Sequence, residues 1–196
     1  MTVAARLQPE RQKFHSDEDL VAACRKGNQQ AWAALVDKYK NLIYSIPIRL
    51  GMYDDAADIF QTVCLDLLSE LPRLREPRAL PKWLMQTSYH KCLQYQRRAD
   101  KHVPLEEDDT SNPNADRSTL LPEDLLAQLQ KEQMVRDVLS QLPARCEQMI
   151  RMLFFETPPR PYQQIASELG LATGSIGFIR GRCLARMRKQ LEKMGF

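Results

Sequence analysis

Glycine is scarce in this chain, at 7 of 196 residues, and aromatics reach only 7%. No P-loop, G-x-S-x-G or dinucleotide-binding glycine pattern occurs, so the usual phosphate cradles and nucleophile turns are excluded. No run of about 18 apolar residues is present, which argues against a membrane span. The polar stretch Met1 to Ser16 has no apolar core of the kind a secretory signal requires. His15, His90 and His102 stand in unrelated contexts and build no metal or catalytic set. The five cysteines, Cys24, Cys64, Cys92, Cys146 and Cys183, are odd in number, far apart and without a CxxC pair. That pattern predicts reduced thiols, mostly in cores, rather than a disulfide framework or a zinc site. A cytoplasmic chain without metal, cofactor or catalytic chemistry is therefore expected.

What is present is apolar content of 43% and charged content of 27%, the balance of a soluble globular protein. The length suits one domain or two small ones. The net charge of +3 is distributed unevenly. Residues 1–98 carry 15 Lys/Arg against 11 Asp/Glu, residues 99–124 carry 2 against 8, and residues 143–196 carry 9 against 4. Two basic blocks flank an acidic stretch, which points to an anionic partner touched at two places, nucleic acid first among the candidates.

Nearly every periodic segment reads as helix. Ser16 and Asp19 form a capping-box-like start, and Gly27 suits a stop. Asn28 can cap a helix whose Trp32, Leu35, Val36 and Tyr39 follow i, i+3, i+4, i+7. A third apolar set, Leu42, Ile43, Ile46 and Leu50, contains Pro47, which should kink or end it. From about Asp54 to Leu71 the stripe Ala56, Ile59, Phe60, Val63, Cys64, Leu67, Leu68, Leu71 predicts a rod of about 27 Å, with Asp54, Asp55, Asp58, Gln61, Thr62 and Asp66 opposite. Prolines then punctuate a basic loop, Arg73 to Arg78, before a helix through Trp83 to Arg98. Periodicity disappears from Ala99 to Pro122, where Glu106-Glu107-Asp108-Asp109 has the composition of a solvated linker rather than a metal cage. Helical pattern resumes with Leu125 and again after Pro143. The expected fold is all-α: an N-terminal helical bundle and a C-terminal helix-turn-helix, joined by a flexible acidic linker.

The most specific signal is C-terminal. Ile165, Ala166 and Leu169 give one helix an apolar face, and Gly170 supplies a turn. A second helix starting near Gly174-Ser175 buries Ile176, Ile179, Cys183 and Met187. Arg180, Arg182, Arg186, Arg188 and Lys189 then remain for its outer surface. Such a helix places its first turns at base edges in the major groove, with arginines further along on phosphates or guanine.

These residues resemble the second conserved domain of bacterial RNA polymerase sigma factors of the extracytoplasmic-function group. Leu142-Pro143-Ala144-Arg145 resembles that family's L-P-x-R helix start, and Gln164-Ile165-Ala166 stands for its usual Glu-Ile-Ala. Gly174-Ser175-Ile176-Gly177 with Arg180-Gly181-Arg182 looks like its promoter-reading helix. Independently, Asp55 to Val63 resembles the family helix that docks on the polymerase clamp, and Pro81-Lys82-Trp83-Leu84 through Gln96-Arg97-Arg98 resembles the helix behind promoter melting. Lys91 and Thr87 fall where apolar core residues are expected, and His90 replaces a usual Asn.

The resemblance implies a transcription initiation factor that binds core RNA polymerase and directs it to two-part promoters. It implies a tail over 1–15, a first domain over 16–98, the acidic linker over 99–121 and a helix-turn-helix domain over 122–196. Polymerase contact falls to Asp55, Asp58, Gln61 and Thr62. The melted minus-ten strand falls to Arg73, Arg75, Arg78, Lys82, Trp83, Gln86, His90, Arg97 and Arg98. The minus-thirty-five duplex falls to Arg160, Tyr162, Gln163, Ser175, Gly177, Phe178, Arg180, Arg182 and Arg186. Promoter DNA and core polymerase are the implied partners, an anti-sigma factor is a further one, and no membrane contact is implied. The rival reading is a helix-turn-helix regulator acting alone, with a sensing or dimerising N-terminal bundle.

Overall fold

In the computed structural model the chain falls into two compact units, residues 1–126 and 127–196. The structure describes residues 14, 16–100 and 120–196. Among these residues the architecture is all-α, with eight α-helices and no strand. The Glu106–Asp109 run, His15 and His102 lie outside the described residues.

The first unit is built on α1 (Asp17–Arg25), α2 (Gln29–Arg49), α3 (Ala56–Glu70) and α4 (Leu80–Asp100). Local signals set their ends. The Ser16 hydroxyl accepts from the Asp19 N–H at 3.1 Å, and the Asn28 side chain accepts from Gln30 and Ala31 at 2.9 and 3.1 Å. Each such cap is worth about 1 kcal/mol. Between them, Gly27 and Asn28 close α1 by donating to the Cys24 and Ala23 carbonyls.

The two apolar sets expected before and around Pro47 form one helix, because Pro47 lies in the last turn of α2 and lacks only one backbone bond there. Leu35, Tyr39, Leu42, Ile43, Ile46 and Pro47 make its buried face. The buried Tyr39 hydroxyl donates to the Asp17 carboxylate at 2.8 Å, which also accepts Lys38 at 2.8 Å. Arg25 Nε donates to the Leu71 carbonyl at 2.9 Å, and a second guanidinium nitrogen bonds the Leu74 carbonyl, tying α1 to the turn after α3. Tyr44 stacks on Phe60 at 4.5 Å between ring centroids, joining α2 to α3. Lys91, on α4 where an apolar residue was expected, is half-buried and pairs with Asp66 of α3 at 2.9 Å.

Two expectations about α3 need correction. The α-helix is 15 residues rather than 18, since Leu71-Pro72-Arg73 tightens into a 3-10 turn. Its buried stripe is Ala56, Ile59, Val63 and Leu67, whereas Leu68 is 57% exposed. Apolar character alone did not decide burial: α2 and α4 pack against one side of α3, and Leu68 turns away from that side.

The second unit comprises most of α5 (Glu123–Ser140), then α6 (Ala144–Phe154), α7 (Tyr162–Leu169) and α8 (Ile176–Lys193). One cluster packs Val138, Leu139, Leu142, Ile150, Cys183 and Met187; a second packs Met149, Met152, Ile165, Ala166, Leu169 and Ile176. Gly170 ends α7 at φ +62°, a left-handed conformation that glycine adopts without a Cβ penalty.

The expectation of five reduced thiols is wrong for two of them. Cys146 of α6 and Cys183 of α8 form a disulfide. Their separation of 37 positions carries no hint of the bond, but packing of α6 on α8 brings their Cα atoms to 5.4 Å, within bonding reach. Cys24, Cys64 and Cys92 are free, and burial pushes the Cys92 thiol up to about 12, so it stays protonated. Closing a loop of that length is worth about 4 kcal/mol in the chain-entropy picture. Reduction, or the paired change Cys146→Ser with Cys183→Ser, is expected to destabilise the 127–196 unit by about 2–4 kcal/mol. Urea melts of the full chain with and without dithiothreitol measure it, and a loss below about 0.5 kcal/mol would overturn the assignment.

Candidate nucleic-acid interface

On α3, Asp58, Gln61, Leu65 and Leu68 follow one another at i, i+3, i+7 and i+10, so they form a single exposed stripe. Asp55 is exposed at the helix start, where negative charge is favoured by the helix dipole. Thr62 is half-buried and its hydroxyl donates to the Asp58 carbonyl at 2.8 Å, so it is less available than its neighbours. Leu65, 67% exposed, and Leu68 were not anticipated as site residues. A leucine on the polar side of the helix is the readable signal for Leu65, whereas the spacing alone assigns Leu68 to the core stripe.

The basic candidates of the first unit are divided between two ends of α4. Arg73, Arg75 and Arg78 lie in the turns before it and Lys82 in its first turn, whereas Arg97 and Arg98 occupy its last turn. Lys82 and Arg98 are sixteen residues apart, about 24 Å along the axis, so they cannot meet at one phosphate. All six are exposed. Arg73 pairs with Glu70 at 3.3 Å and Arg78 with Glu18 at 2.7 Å. Trp83 is half-buried against the bundle. Gln86 and His90, one turn apart, contact each other through Nε2 atoms at 2.9 Å. The Gln86 carbonyl oxygen also accepts the Leu121 N–H at 3.2 Å, and Leu121 is buried. The chain therefore returns to α4 at Leu121, inside the stretch expected to be linker.

In the second unit α7, the Gly170 turn, a short 3-10 segment (Thr173–Ser175) and α8 make the helix-turn-helix. Ile176, Cys183 and Met187 are buried and Ile179 is partly buried, as the spacing implied. Gly177, Phe178, Arg182 and Arg186 are exposed on the other side of α8, and Gln163 is exposed on α7. Ser175 is half-buried, its hydroxyl donating to the Ala172 carbonyl at 2.7 Å. Arg160 is gripped by two carboxylates, Glu156 and Glu168, which commits its charge within the unit. Arg180 is half-buried: one guanidinium nitrogen donates to the Tyr162 hydroxyl at 2.6 Å, its carbon sits 5.9 Å from that ring's centroid, and its buried Nε has no partner. Arg182 instead lies 5.8 Å from the centroid of the Phe178 ring.

Among the described residues no group of three or more His, Cys, Asp or Glu is placed to hold a metal ion, and no helix is long and apolar enough to cross a membrane. No protein-family model matches this chain, and no curated protein matches it. A solved structure, that of CnrH in complex with the cytosolic domain of CnrY, aligns with 90% of this chain and 97% of its own at 18% identity and a TM-score of 0.36. A likeness of that size carries no argument about function.

The Arg78–Glu18 pair gives a direct check on this surface. Hydrogen bonding from Arg78, with smaller help from the Glu18 backbone and Ser16, holds the Glu18 carboxyl at about 2 against an ordinary 4.5. Because the folded value is depressed, the pair's contribution is present above pH 4.5 and is lost as pH falls toward 2. An NMR titration is expected to place the Glu18 midpoint near 2 and to move it up in Arg78→Ala. An unchanged midpoint in that variant would show that the arginine is disengaged.

Proposed function

We propose that this chain is a transcription initiation factor of the sigma type: it binds core RNA polymerase, selects promoters and assists their melting. The observation that carries the reading is the pairing, in one chain, of two different exposed faces. One is the acidic and apolar stripe Asp58, Gln61, Leu65, Leu68 on α3. The other is a helix-turn-helix whose second helix turns Phe178, Arg182 and Arg186 outward. A regulator acting alone needs the second face, and would use the first only to dimerise.

The division of labour follows from chemistry. Asp58 and Gln61 suit a basic partner surface, and the two leucines extend the stripe with apolar area to be buried on docking. The arginines around α4 suit a single strand, whose phosphates they neutralise while the half-buried Trp83 offers a stacking edge. The helix-turn-helix suits duplex DNA upstream. Nucleotide addition belongs to the polymerase; this chain positions and opens the template.

Run-off transcription from a genomic promoter library, with core polymerase and with or without the chain, tests the proposal. Transcripts that require the chain support it, and tight sequence-specific duplex binding without polymerase favours the stand-alone regulator. The double change Asp58→Arg, Gln61→Arg is expected to leave stability within about 0.5 kcal/mol, since both sites are exposed, and to abolish capture of core polymerase. Wild-type capture by a folded double variant would remove α3 from the interface.

A further inference from the structure

The outer side of α8 offers more than one arginine for base contact, and their surroundings separate them. Arg180 is half-buried and fastened to Tyr162, with its Nε enclosed. One nitrogen of its fork is already engaged, and turning the side chain to a base would forfeit both the hydroxyl and the ring contact with Tyr162. Arg182 is exposed and lies against Phe178, one helical turn earlier, whose ring is 71% exposed.

We propose that Phe178 and Arg182 read bases as one unit, recognising a thymine beside a guanine in the major groove, while Arg180 is a positioning residue that fixes α8 against Tyr162. The inference rests on the reading of α8 as a duplex-binding helix. A guanidinium held over an aromatic ring keeps its fork oriented, so less freedom is lost when it meets guanine O6 and N7. The adjoining ring presents apolar surface to a thymine methyl. Gly177 and Gly181 precede the two readers by one residue each, and neither has a positive φ or a neighbour within 4 Å of a Cβ. Glycine inside a helix is destabilising relative to alanine, and here both fall where a flat surface lets the duplex approach.

The test is transcription by core polymerase and the full chain from templates randomised across the upstream element, read by sequencing. Arg182→Ala is expected to flatten a guanine preference at one position by about 5- to 100-fold, and Phe178→Ala to flatten a thymine preference at its neighbour. Arg182→Lys keeps the charge without the fork, so it is expected to lose the same guanine preference; retention would make Arg182 a phosphate contact and overturn the proposal. Arg180→Ala and Tyr162→Phe are expected to lower all templates by a common factor. If Arg180→Ala erases one base preference while Arg182→Ala scales every template equally, the assignment is reversed. A wild-type chain that supports transcription without any upstream preference overturns this inference alone, whereas absence of chain-dependent transcripts overturns the functional reading beneath it.

Discussion

Cys183 sits midway along α8 and is held from two directions. Its sulfur is bonded to Cys146 of α6, and its flank is buried among Val138, Leu139, Leu142, Ile150 and Met187. One turn on either side, Ile179 and Met187 continue the contact, and Ile176 inserts into the second cluster with Ile165 and Ala166. The rotation of α8 about its own axis is thereby set, because no other face of that helix carries a row of apolar side chains. Everything it shows outward, from Gly177 to Arg186, follows from that rotation. The Gly170 turn sets the second angle, and Arg180 with Tyr162 pins the start of α7 to α8 from outside the core.

The first unit obeys a different constraint, in which its buried and half-buried polar groups Tyr39, Ser88 and Lys91 each find a partner. Tyr39 is almost wholly buried, yet its hydroxyl reaches Asp17 at the start of α1. Ser88 is buried in α4 and returns its hydroxyl to the Leu84 carbonyl at 2.7 Å. Lys91 takes a position that packing would give to an apolar residue and answers it with Asp66. Stripping one partner from such a pair costs more than the pair contributes, since the other is left desolvated. The Tyr39–Asp17 bond ties α1 to α2 and the Lys91–Asp66 pair ties α4 to α3, which helps set the side of α3 that is left outward.

Helix ends were legible in the sequence because capping is local: Ser16, Asn28, Gly27 and Gly170 act within a few residues of themselves. The faces of α2, α7 and α8 were legible for a related reason, their apolar spacing being unambiguous. The Cys146–Cys183 bond was not legible, since it depends on how α6 packs against α8 and not on anything either segment contains. Leu68 was misplaced because α3 carries more apolar residues than its neighbours can cover, so spacing alone overfills the core. Leu121 was hidden by the composition around it: an acidic, proline-containing stretch reads as linker up to its last residues, although one buried side chain and one backbone bond to Gln86 anchor it.

The arginines carry the last consequence. To hold a phosphate, an arginine must first give up whatever it already holds. For Arg73 with Glu70 and Arg188 with Glu192, both exposed pairs within one helical stretch, the cost is small, about 0.2–1 kcal/mol for surface ion pairs in general. Those residues can trade a carboxylate for a phosphate almost without loss, because the released carboxylate returns to water. Arg160 differs, since two carboxylates, Glu156 and Glu168, converge on it and would be left side by side if it moved. Arg180 differs again, being enclosed as well as paired. Sequence ranks all of these alike as basic residues of candidate nucleic-acid surfaces. The structure sorts them by what each must abandon, and on that measure Arg182, whose present partner is an aromatic ring and not a counter-charge, leaves no carboxylate behind when its fork meets a base edge.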